Sequence, residues 1–234
     1  MGAVPPDRLV TDGVPALFDV DLLRSRMTAA LGVRRATATT VVLGSRQPVS
    51  DLDDRVLARE TVAVRRRRGG GGAVLLGPGD CWVEVWLPAG AGTFRDDLRA
   101  TACLVGECWQ SLLASMGLST EIHRSGVLRP DEGSVACFAG LGPGELTVQG
   151  RKLLGLSQWR SREGALVSSV IPARSPANLR PFLAQSAPRV PALGLATSLD
   201  AVLGAVTGAE LARQFAIRAA SVLGTQDSEP DLFA

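Results

Sequence analysis

The chain has 234 residues and 46% of them are hydrophobic, enough to bury one substantial core, so we expect a single domain spanning residues 1–234. Its 25 lysines and arginines nearly balance 23 aspartates and glutamates, which excludes the broad positive field of a general nucleic-acid binder. The sequence has neither an apolar run near the roughly 18 residues of a membrane span nor a signal segment at its start. We therefore predict no membrane association, a cytoplasmic location and reduced cysteines.

The predicted elements begin with an amphipathic helix, because apolar residues recur at helical spacing as far as Leu31. The β-branched run TTVVLG (39–44) predicts a buried strand, and DLDDRVLARE (51–60) predicts a helix with acidic residues in its first turn. Three further strands are predicted: ETVAVRR (60–66), GGAVLL (71–76) and CWVEVWLP (81–88).

Residues 96–116 carry the clearest helical pattern, and Gly117 is expected to end this helix. Four strands are predicted next: SVACF (134–138), ELTVQ (145–149), KLLGLSQW (152–159) and ALVSSVI (165–171). A proline-punctuated segment from Pro176 precedes a helix over about 209–223, and a frayed tail is expected from about residue 224. Consecutive strands in the middle of the chain favour an α+β fold.

The stretch RRRRGGGG (65–72) lies between two predicted strands. Consecutive glycines allow backbone N–H groups to point at an anion, and arginines beside them add charge-assisted donors. The stretch is not a P-loop, because no Lys-Ser or Lys-Thr pair follows the glycines. The alternative is a hairpin loop with solvated arginines.

A second candidate site is the turn at Gly150-Arg151-Lys152, within ELTVQGRKLLGLSQWR (145–160). Lys152 begins a strand, so its ammonium is expected to lie near rigid sheet, where a fixed cation can stabilise a phosphate or a transition state. An ordinary surface lysine at a hairpin is the alternative.

In the order and spacing of its motifs, the chain resembles the lipoate-protein ligase and octanoyl/lipoyl transferase family, which is related to biotin-protein ligases. The motifs are VVLGSRQ, VxVxRRxxGGGAV, CF, ELTV and GRKLxGxSQ, and the resemblance covers about residues 15–175. It implies the mixed α+β catalytic domain of that family and an enzyme that attaches a lipoyl or octanoyl group to a lysine of a lipoyl carrier domain.

The resemblance also implies substrates and partners. Lipoate or octanoate would be the acyl substrate, with ATP and Mg²⁺ if the protein is a ligase, and no tightly bound cofactor or metal site is expected. The partners would be lipoyl domains of 2-oxoacid dehydrogenase subunits or the glycine-cleavage H protein, and possibly acyl carrier protein; neither nucleic acid nor membrane is expected.

By resemblance, Lys152 contacts the acyl carbonyl or phosphate oxygens. The residues that would bind substrate are Gln47, Arg66, Arg67, Gly69, Gly70, Gly71, Gly72, Ala73 and Gly155. We expect only one or two of the four arginines to face the ligand. The apolar runs VVLG, AVLL and KLLGL would line a slot for the acyl chain.

Departures from the family pattern leave the mechanism open. Leu75-Leu76 and Ser168-Ser169 stand where many members have a Tyr-His or Phe-His pair and a His-Gly pair. The residues after the matching region are too few for a C-terminal accessory domain, which counts against a self-sufficient ATP-using ligase. One alternative is therefore a catalytically degenerate protein that binds acyl groups or lipoyl domains.

A cysteine-dependent octanoyl/lipoyl transferase that needs no ATP is another alternative. In that branch of the family a Cys-Phe pair precedes the GRK lysine, as Cys137-Phe138 precedes Lys152 here. Cys137 would be the nucleophile; the competing interpretation is a packed cysteine. Cys81, Cys103 and Cys108 are predicted to be structural. Trp159 and Arg160 are candidates for the contact with the carrier domain.

Overall fold

A computed structural model describes residues 24, 26–128, 135–187 and 195–224. Its strands are β1 (Ala30–Arg34), β2 (Thr40–Leu43), β3 (Ala63–Arg66), β4 (Val74–Leu76), β5 (Cys81–Pro88), β6 (Glu121–Ile122), β7 (Leu146–Val148), β8 (Arg151–Arg160) and β9 (Gly164–Ile171). The α-helices are α1 (Asp54–Arg59), α2 (Leu98–Ser115), α3 (Leu199–Leu203) and α4 (Gly208–Leu223). Short 3-10 helices cover Val49–Asp51, Cys137–Ala139 and Pro176–Phe182.

The larger sheet has six strands in the order β1-β5-β9-β8-β7-β6, and all neighbouring strands are antiparallel. Strand β5 lies inside this sheet, and all eight of its residues are buried. Helices α2 and α4 contact each other, and Trp109 stacks on Phe215 with ring centroids 3.9 Å apart. The buried side chains of both helices join those of the sheet in one apolar core.

The smaller sheet has the order β3-β2-β4, with β3 parallel and β4 antiparallel to the central strand β2. The segment RRRRGGGG therefore carries the chain from one edge of β2 to the other, and its flanking strands do not pair. A hairpin joins adjacent antiparallel strands, so the hairpin interpretation of this segment is wrong. A second apolar cluster, which includes Leu43, Leu76 and Phe138, packs around this sheet.

Most predicted elements are confirmed, and capping explains several boundaries. The Asp53 carboxylate accepts N–H bonds from Arg55 and Val56 at the start of α1, and the Asp97 carboxylate accepts one from Ala100 at the start of α2. Gly117, at φ 82°, adopts the left-handed conformation just after α2, as expected for a helix stop.

Two predictions about elements are wrong. Leu31 lies in β1 rather than in a helix, because β5 has an open edge and Leu31 pairs with Val85 there. Residues 135–138 are not a strand: Ala136 makes a single parallel bridge with Ala73, and the chain then turns into the 3-10 helix that begins at Cys137. The first part of the predicted N-terminal helix and the predicted tail beyond residue 224 fall outside the described residues.

Candidate active site

A cleft of about 250 Å³ lies between the four glycines 69–72 (the glycine loop), the start of α2 and the β7–β8 hairpin. The residues that line it include Gly70, Gly71, Gly72, Cys137, Glu145, Lys152 and Ser157. The two segments singled out in the sequence, 65–72 and 150–152, therefore contribute to the same cleft, although some eighty residues separate them.

Arg67 holds the glycine loop in place from within the protein. Its side chain is buried, and its Nη2 donates to the carbonyl oxygens of Gly70 and Gly72, each at 2.8 Å. Nε donates to Ser157 Oγ at 3.1 Å and Nη1 to the Val42 carbonyl at 3.2 Å. Because a trans peptide directs its C=O and the next N–H oppositely, the Gly71 N–H points away from Arg67. The N–H groups of Gly70, Gly71 and Gly72 have no acceptor among the described residues, and Gly70 and Gly71 are exposed.

Two positions in the loop require glycine for different reasons. Gly71 has φ 101°, a conformation that residues with a side chain rarely adopt. A Cβ on Gly72 would lie 2.7 Å from the backbone carbon atoms of Val135 and Ala136, closer than real contacts allow. Close backbone approach at Gly72 thus sets the position of the segment that leads to Cys137. By contrast, a Cβ on Gly70 would meet nothing within 4 Å.

We expect Gly72→Ala to destabilise the protein by about 1–3 kcal/mol, because the added methyl group overpacks the backbone of residues 135–136. Gly70→Ala in the same loop is the matched control, and we expect it to change stability by less than about 0.5 kcal/mol. Urea unfolding of both variants measures the difference. Equal effects at the two positions would contradict the close approach at Gly72.

Lys152 is buried, with 6% of its surface exposed, and all three of its ammonium protons have acceptors. Nζ lies 2.6 Å from Glu145 Oε2, and it donates to the carbonyl oxygens of Cys137 at 2.8 Å and Gly140 at 2.9 Å. It also lies 5.0 Å from the centre of the Phe138 ring. Lys152 is therefore not an ordinary surface lysine. Its bonds connect the β7–β8 hairpin to the segment that carries Cys137. The carbonyl oxygen of a bound ligand could accept from Nζ only by replacing one of these acceptors.

Glu145, which the sequence-based prediction did not include, is the ion-pair partner of Lys152 and is only 4% exposed. Its Oε1 accepts from the Leu156 N–H at 2.9 Å, and its Oε2 accepts from the Gly142 N–H at 2.6 Å. The available signal was weak: an acidic residue stands just before β7, seven residues before Lys152, and the hairpin brings the two strands together. Ser157 and Gly140 were missed for a similar reason, since their contacts depend on tertiary structure.

Cys137 lies where the cleft meets a second, narrow apolar slot, and it contributes to the lining of both. Its N–H donates to the Ala73 carbonyl at 2.8 Å. A Cβ built on Gly155 would lie 3.6 Å from Cys137 Sγ, so this glycine leaves room beside the sulfur. The slot is lined mainly by apolar side chains, among them Val42, Val74, Leu76, Trp82 and Val170.

The other three cysteines are buried, whereas Cys137 is half-buried. Burial raises the pKa of the Cys108 thiol to about 11, and burial also raises the pKa of the Cys81 thiol. A thiol with a raised pKa is rarely ionised at neutral pH and is therefore a poor nucleophile. Cys103 is also buried, and among the four cysteines only Cys137 lines the cleft.

Some predicted substrate-binding residues do not line the cleft. Gln47 is buried, and its side chain donates to the Val135 carbonyl at 2.9 Å and to Asp51 at 3.1 Å. Arg66 Nη1 donates to the carbonyls of Gly44 at 2.8 Å and Gln47 at 2.5 Å. Both side chains hold the turn after β2, so their placement does not support direct substrate contact.

The remaining predicted residues flank the site. Ala73 is buried and bonds to the 135–137 segment through its backbone. A Cβ on Gly69 would collide with Ser157 Oγ, so this glycine allows the loop to approach β8. Arg68 is exposed and lies 5.5 Å from the Trp159 ring centre. Of the four arginines, only Arg67 contacts the glycine loop with its side chain among the contacts described.

Few carboxylate or metal-ligating side chains lie in this region among the described residues. Among the described residues that line the cleft, Glu145 is the only carboxylate. The described ranges contain no group of three or more His, Cys, Asp or Glu side chains placed to hold a metal ion. In the same ranges, no helix combines the length and the apolar character needed to cross a membrane.

Residues 33–185 match the model of the lipoyl protein ligase A/B catalytic domain. The chain belongs to this family. The family membership expected from the VVLG, arginine-glycine and GRK motifs is thereby confirmed, and it makes the protein an enzyme of the lipoyl or octanoyl ligase or transferase type. No curated protein sequence matches the chain significantly.

Solved structures of lipoate-protein ligases share the fold of this family member. A lipoate protein ligase of T. acidophilum with bound lipoic acid matches with a TM-score of 0.69 and 17% identity, over 92% of this chain and 84% of that one. A lipoate-protein ligase A bound with ATP matches with a TM-score of 0.70 and 17% identity, over 92% and 85%. A bipartite lipoate protein ligase from Thermoplasma acidophilum, described with its E2 lipoyl domain, matches with a TM-score of 0.70 and 16% identity, over 90% and 78%. The predicted α+β fold of the lipoate ligase type is confirmed.

Proposed function

We propose that this member of the lipoyl protein ligase A/B family transfers an octanoyl or lipoyl group from a carrier thioester to a lysine of a lipoyl domain, with Cys137 as the nucleophile. One observation carries the proposal: Cys137 lies where the cleft of about 250 Å³, which can admit the end of a carrier arm or a lysine side chain, meets a narrow slot of about 30 Å³ whose apolar side chains can contact the acyl group. An acyl group bound against these side chains would bring its carbonyl carbon close to Cys137.

The first step forms an acyl-enzyme. The Cys137 thiolate attacks the carbonyl carbon of the carrier thioester, and a tetrahedral oxyanion forms. The new C–S bond remains while the bond to the carrier sulfur breaks, so the carrier leaves as a thiolate that takes a proton from water. Gly70 and Gly71, whose N–H groups have no acceptor among the described residues, line the same cleft, and these N–H groups could donate to the oxyanion.

The second step moves the acyl group to the acceptor. The neutral amine of the acceptor lysine attacks the Cys137 thioester carbonyl, a C–N bond forms, and Cys137 leaves as a thiolate. The ammonium proton of the product passes to water, leaving a neutral amide. Lys152 Nζ lies 2.8 Å from the Cys137 carbonyl oxygen and holds the backbone of the nucleophile during both steps.

An ATP-dependent lipoate ligase is the second candidate. It is favoured by the free N–H groups of the glycine loop, which could bind a phosphate, and by the shared fold with a lipoate-protein ligase bound with ATP. A Mg²⁺ ion prefers carboxylate ligands. Glu145, the only carboxylate among the described cleft residues, already accepts three hydrogen bonds, from Lys152, Gly142 and Leu156. The described residues that line the cleft therefore leave no unpaired carboxylate for a Mg²⁺ ion.

A lipoyl-domain acylation assay distinguishes the candidates. The purified protein is incubated with a lipoyl-domain acceptor and one of two donors: octanoyl-carrier thioester without ATP, or lipoate with ATP and Mg²⁺. The mass of the acceptor reports the product. We expect acylation from the thioester without ATP. Product only in the ATP arm would establish the ligase, and binding of the acceptor without product in either arm would indicate a degenerate, non-catalytic relative.

A further inference from the structure

Ser157 on β8 connects the glycine loop to the larger sheet. Its Oγ donates to the Gly70 carbonyl oxygen and accepts from Arg67 Nε, both at 3.1 Å. A serine hydroxyl has one donor proton and free lone pairs, so it can make both bonds at once. The Gly70 carbonyl also accepts from Arg67 Nη2 at 2.8 Å. Two side chains therefore hold this carbonyl oxygen, and Ser157 is the one that belongs to the sheet.

The contact between the loop and Ser157 depends on the absence of a side chain at Gly69. Gly69 is buried, and a Cβ built on it would collide with Ser157 Oγ. The same Cβ would lie 3.2 Å from the Gln158 carbonyl oxygen. The glycine thus lets the loop come close enough to β8 for the hydroxyl to reach Gly70.

A row of polar side chains crosses the sheet at the level of Ser157. In the strand register Ser157 lies opposite Ser168 on β9, and Ser168 lies opposite Glu84 on β5. Ser168 Oγ donates to Glu84 Oε1 at 2.9 Å, and Arg34 Nε donates to Glu84 Oε2 at 3.0 Å. Glu84 is fully buried and lines one small pocket together with Arg67, Ser157 and Ser168. The row therefore gives the buried Arg67 guanidinium polar and acidic surroundings.

The rows on either side of it, on the same face of the sheet, are largely apolar. Side chains two residues apart on a strand share a face. The flanking rows consist of Trp82, Val170 and Gly155 on one side and Trp86, Leu166 and Trp159 on the other. Burying a polar side chain costs free energy unless it is hydrogen-bonded. Apolar packing alone does not explain a hydroxyl at Ser157, whereas its two bonds to the loop segment do.

The Gly70 carbonyl and the Gly71 N–H belong to one planar peptide group, so a bond that holds the carbonyl also fixes the direction of the N–H. Gly71 lines the cleft together with Cys137. We propose that Ser157 is a positioning residue for acyl transfer and sets the orientation in which the Gly71 N–H meets the oxyanion. The inference rests on the proposed function, because the oxyanion forms only in that reaction.

Steady-state transfer from octanoyl-carrier thioester to a lipoyl-domain acceptor tests the effect on the reaction. We expect Ser157→Ala to lower kcat at least about tenfold and to leave KM for the donor within about twofold, because N–H donation strengthens as the oxyanion forms. Ser157→Thr keeps the hydroxyl and is expected to keep most of kcat. Ser169→Ala is the matched control: the Ser169 hydroxyl is also buried in the sheet, but it donates to the Val83 carbonyl and does not line the cleft. We expect this control to match the parent protein.

Nuclear magnetic resonance of protein labelled with ¹⁵N-glycine tests the loop without any acyl transfer. We expect N–H order parameters near about 0.85 for Gly70 and Gly71 in the parent protein and below about 0.6 in Ser157→Ala. Ser169→Ala should leave them unchanged. Gly69→Ala is a second variant, in case Ser157→Ala does not fold. Its added methyl group moves the loop away from an intact Ser157, so we expect the same losses of loop order and of kcat.

The two measurements distinguish this inference from the proposed function. An unchanged kcat in a folded Ser157→Ala protein would overturn the inference and leave the transfer reaction intact. A fall in kcat with unchanged order parameters at Gly70 and Gly71 would also overturn it, because the effect would not pass through the loop. If the loop loses order as expected while the parent protein gives no product from the thioester, the connection between Ser157 and the loop stands and the proposed transfer fails.

Discussion

Replacing Cys137 by alanine is expected to lower acyl transfer from a carrier thioester to the lipoyl-domain acceptor by at least about 1000-fold, the scale seen when an enzyme loses its nucleophile. The physical reason is that Cys137 is the only one of the four cysteines beside the cleft, so no other thiol can form the acyl-enzyme there. In the parent protein, mixing with the thioester donor alone should give an acylated Cys137 that mass spectrometry detects. The variant should give none.

Cys103→Ala is the matched control, because Cys103 is buried on α2 and does not line the cleft. We expect it to retain transfer activity. Thermal melting of both variants shows that the fold is intact. If the Cys137 variant transfers the acyl group at the parental rate, the thioester is attacked directly by the acceptor lysine, and the covalent route is excluded.

The largest effect on stability is expected from Lys152→Met. This substitution leaves the Glu145 carboxylate buried without its ammonium, and it also removes the donor to the Cys137 and Gly140 carbonyls. Breaking one side of a buried ion pair costs about 3–5 kcal/mol. Since proteins of this kind are stable by only about 5–15 kcal/mol, the variant should unfold at a clearly lower urea concentration.

The double variant Lys152→Met/Glu145→Gln is expected to recover part of that loss, because no uncompensated charge remains buried. The neutral amide that this variant carries in place of the carboxylate can still accept one of the two backbone N–H bonds that Glu145 accepts. The urea midpoints of the single and double variants give the coupling energy of the pair. Additive losses would mean that the two side chains do not interact in the folded protein and would contradict the ion pair.

The two results together separate the roles within the site. Loss of Cys137 is expected to remove activity with little change in stability, whereas loss of Lys152 is expected to remove both. All three ammonium protons of Lys152 are donated to acceptors within the protein, so the primary role of this side chain is structural. The family resemblance implies that this lysine contacts the acyl carbonyl directly. Such a contact requires Nζ to break its bond to one of the three acceptors.

Local signals in the sequence were sufficient for most of the secondary structure. The strands β2, β5, β8 and β9 and the helices α2 and α4 carry strong periodicity or β-branched runs with glycine or aspartate at their ends. The exceptions are informative. Leu31 was predicted in a helix and lies in β1, since the open edge of β5 outweighs helical spacing. Cys137 was predicted on a strand, but among the described residues Ala136 bridges to Ala73 alone, and the chain turns immediately.

The sequence by itself determined the family, the α+β class and the two segments that meet in the cleft, because glycine runs, tight turns and strand patterns act over a few residues. Only the tertiary structure decided which charged side chains pair with each other and which surroundings each one has. It showed that Glu145 neutralises Lys152, that Arg66 and Gln47 hold the turn after β2, and that Arg67 is buried and binds the carbonyl oxygens of the glycine loop. Pairing and burial depend on residues that are distant in sequence, and four consecutive arginines look alike until the fold assigns each a different environment.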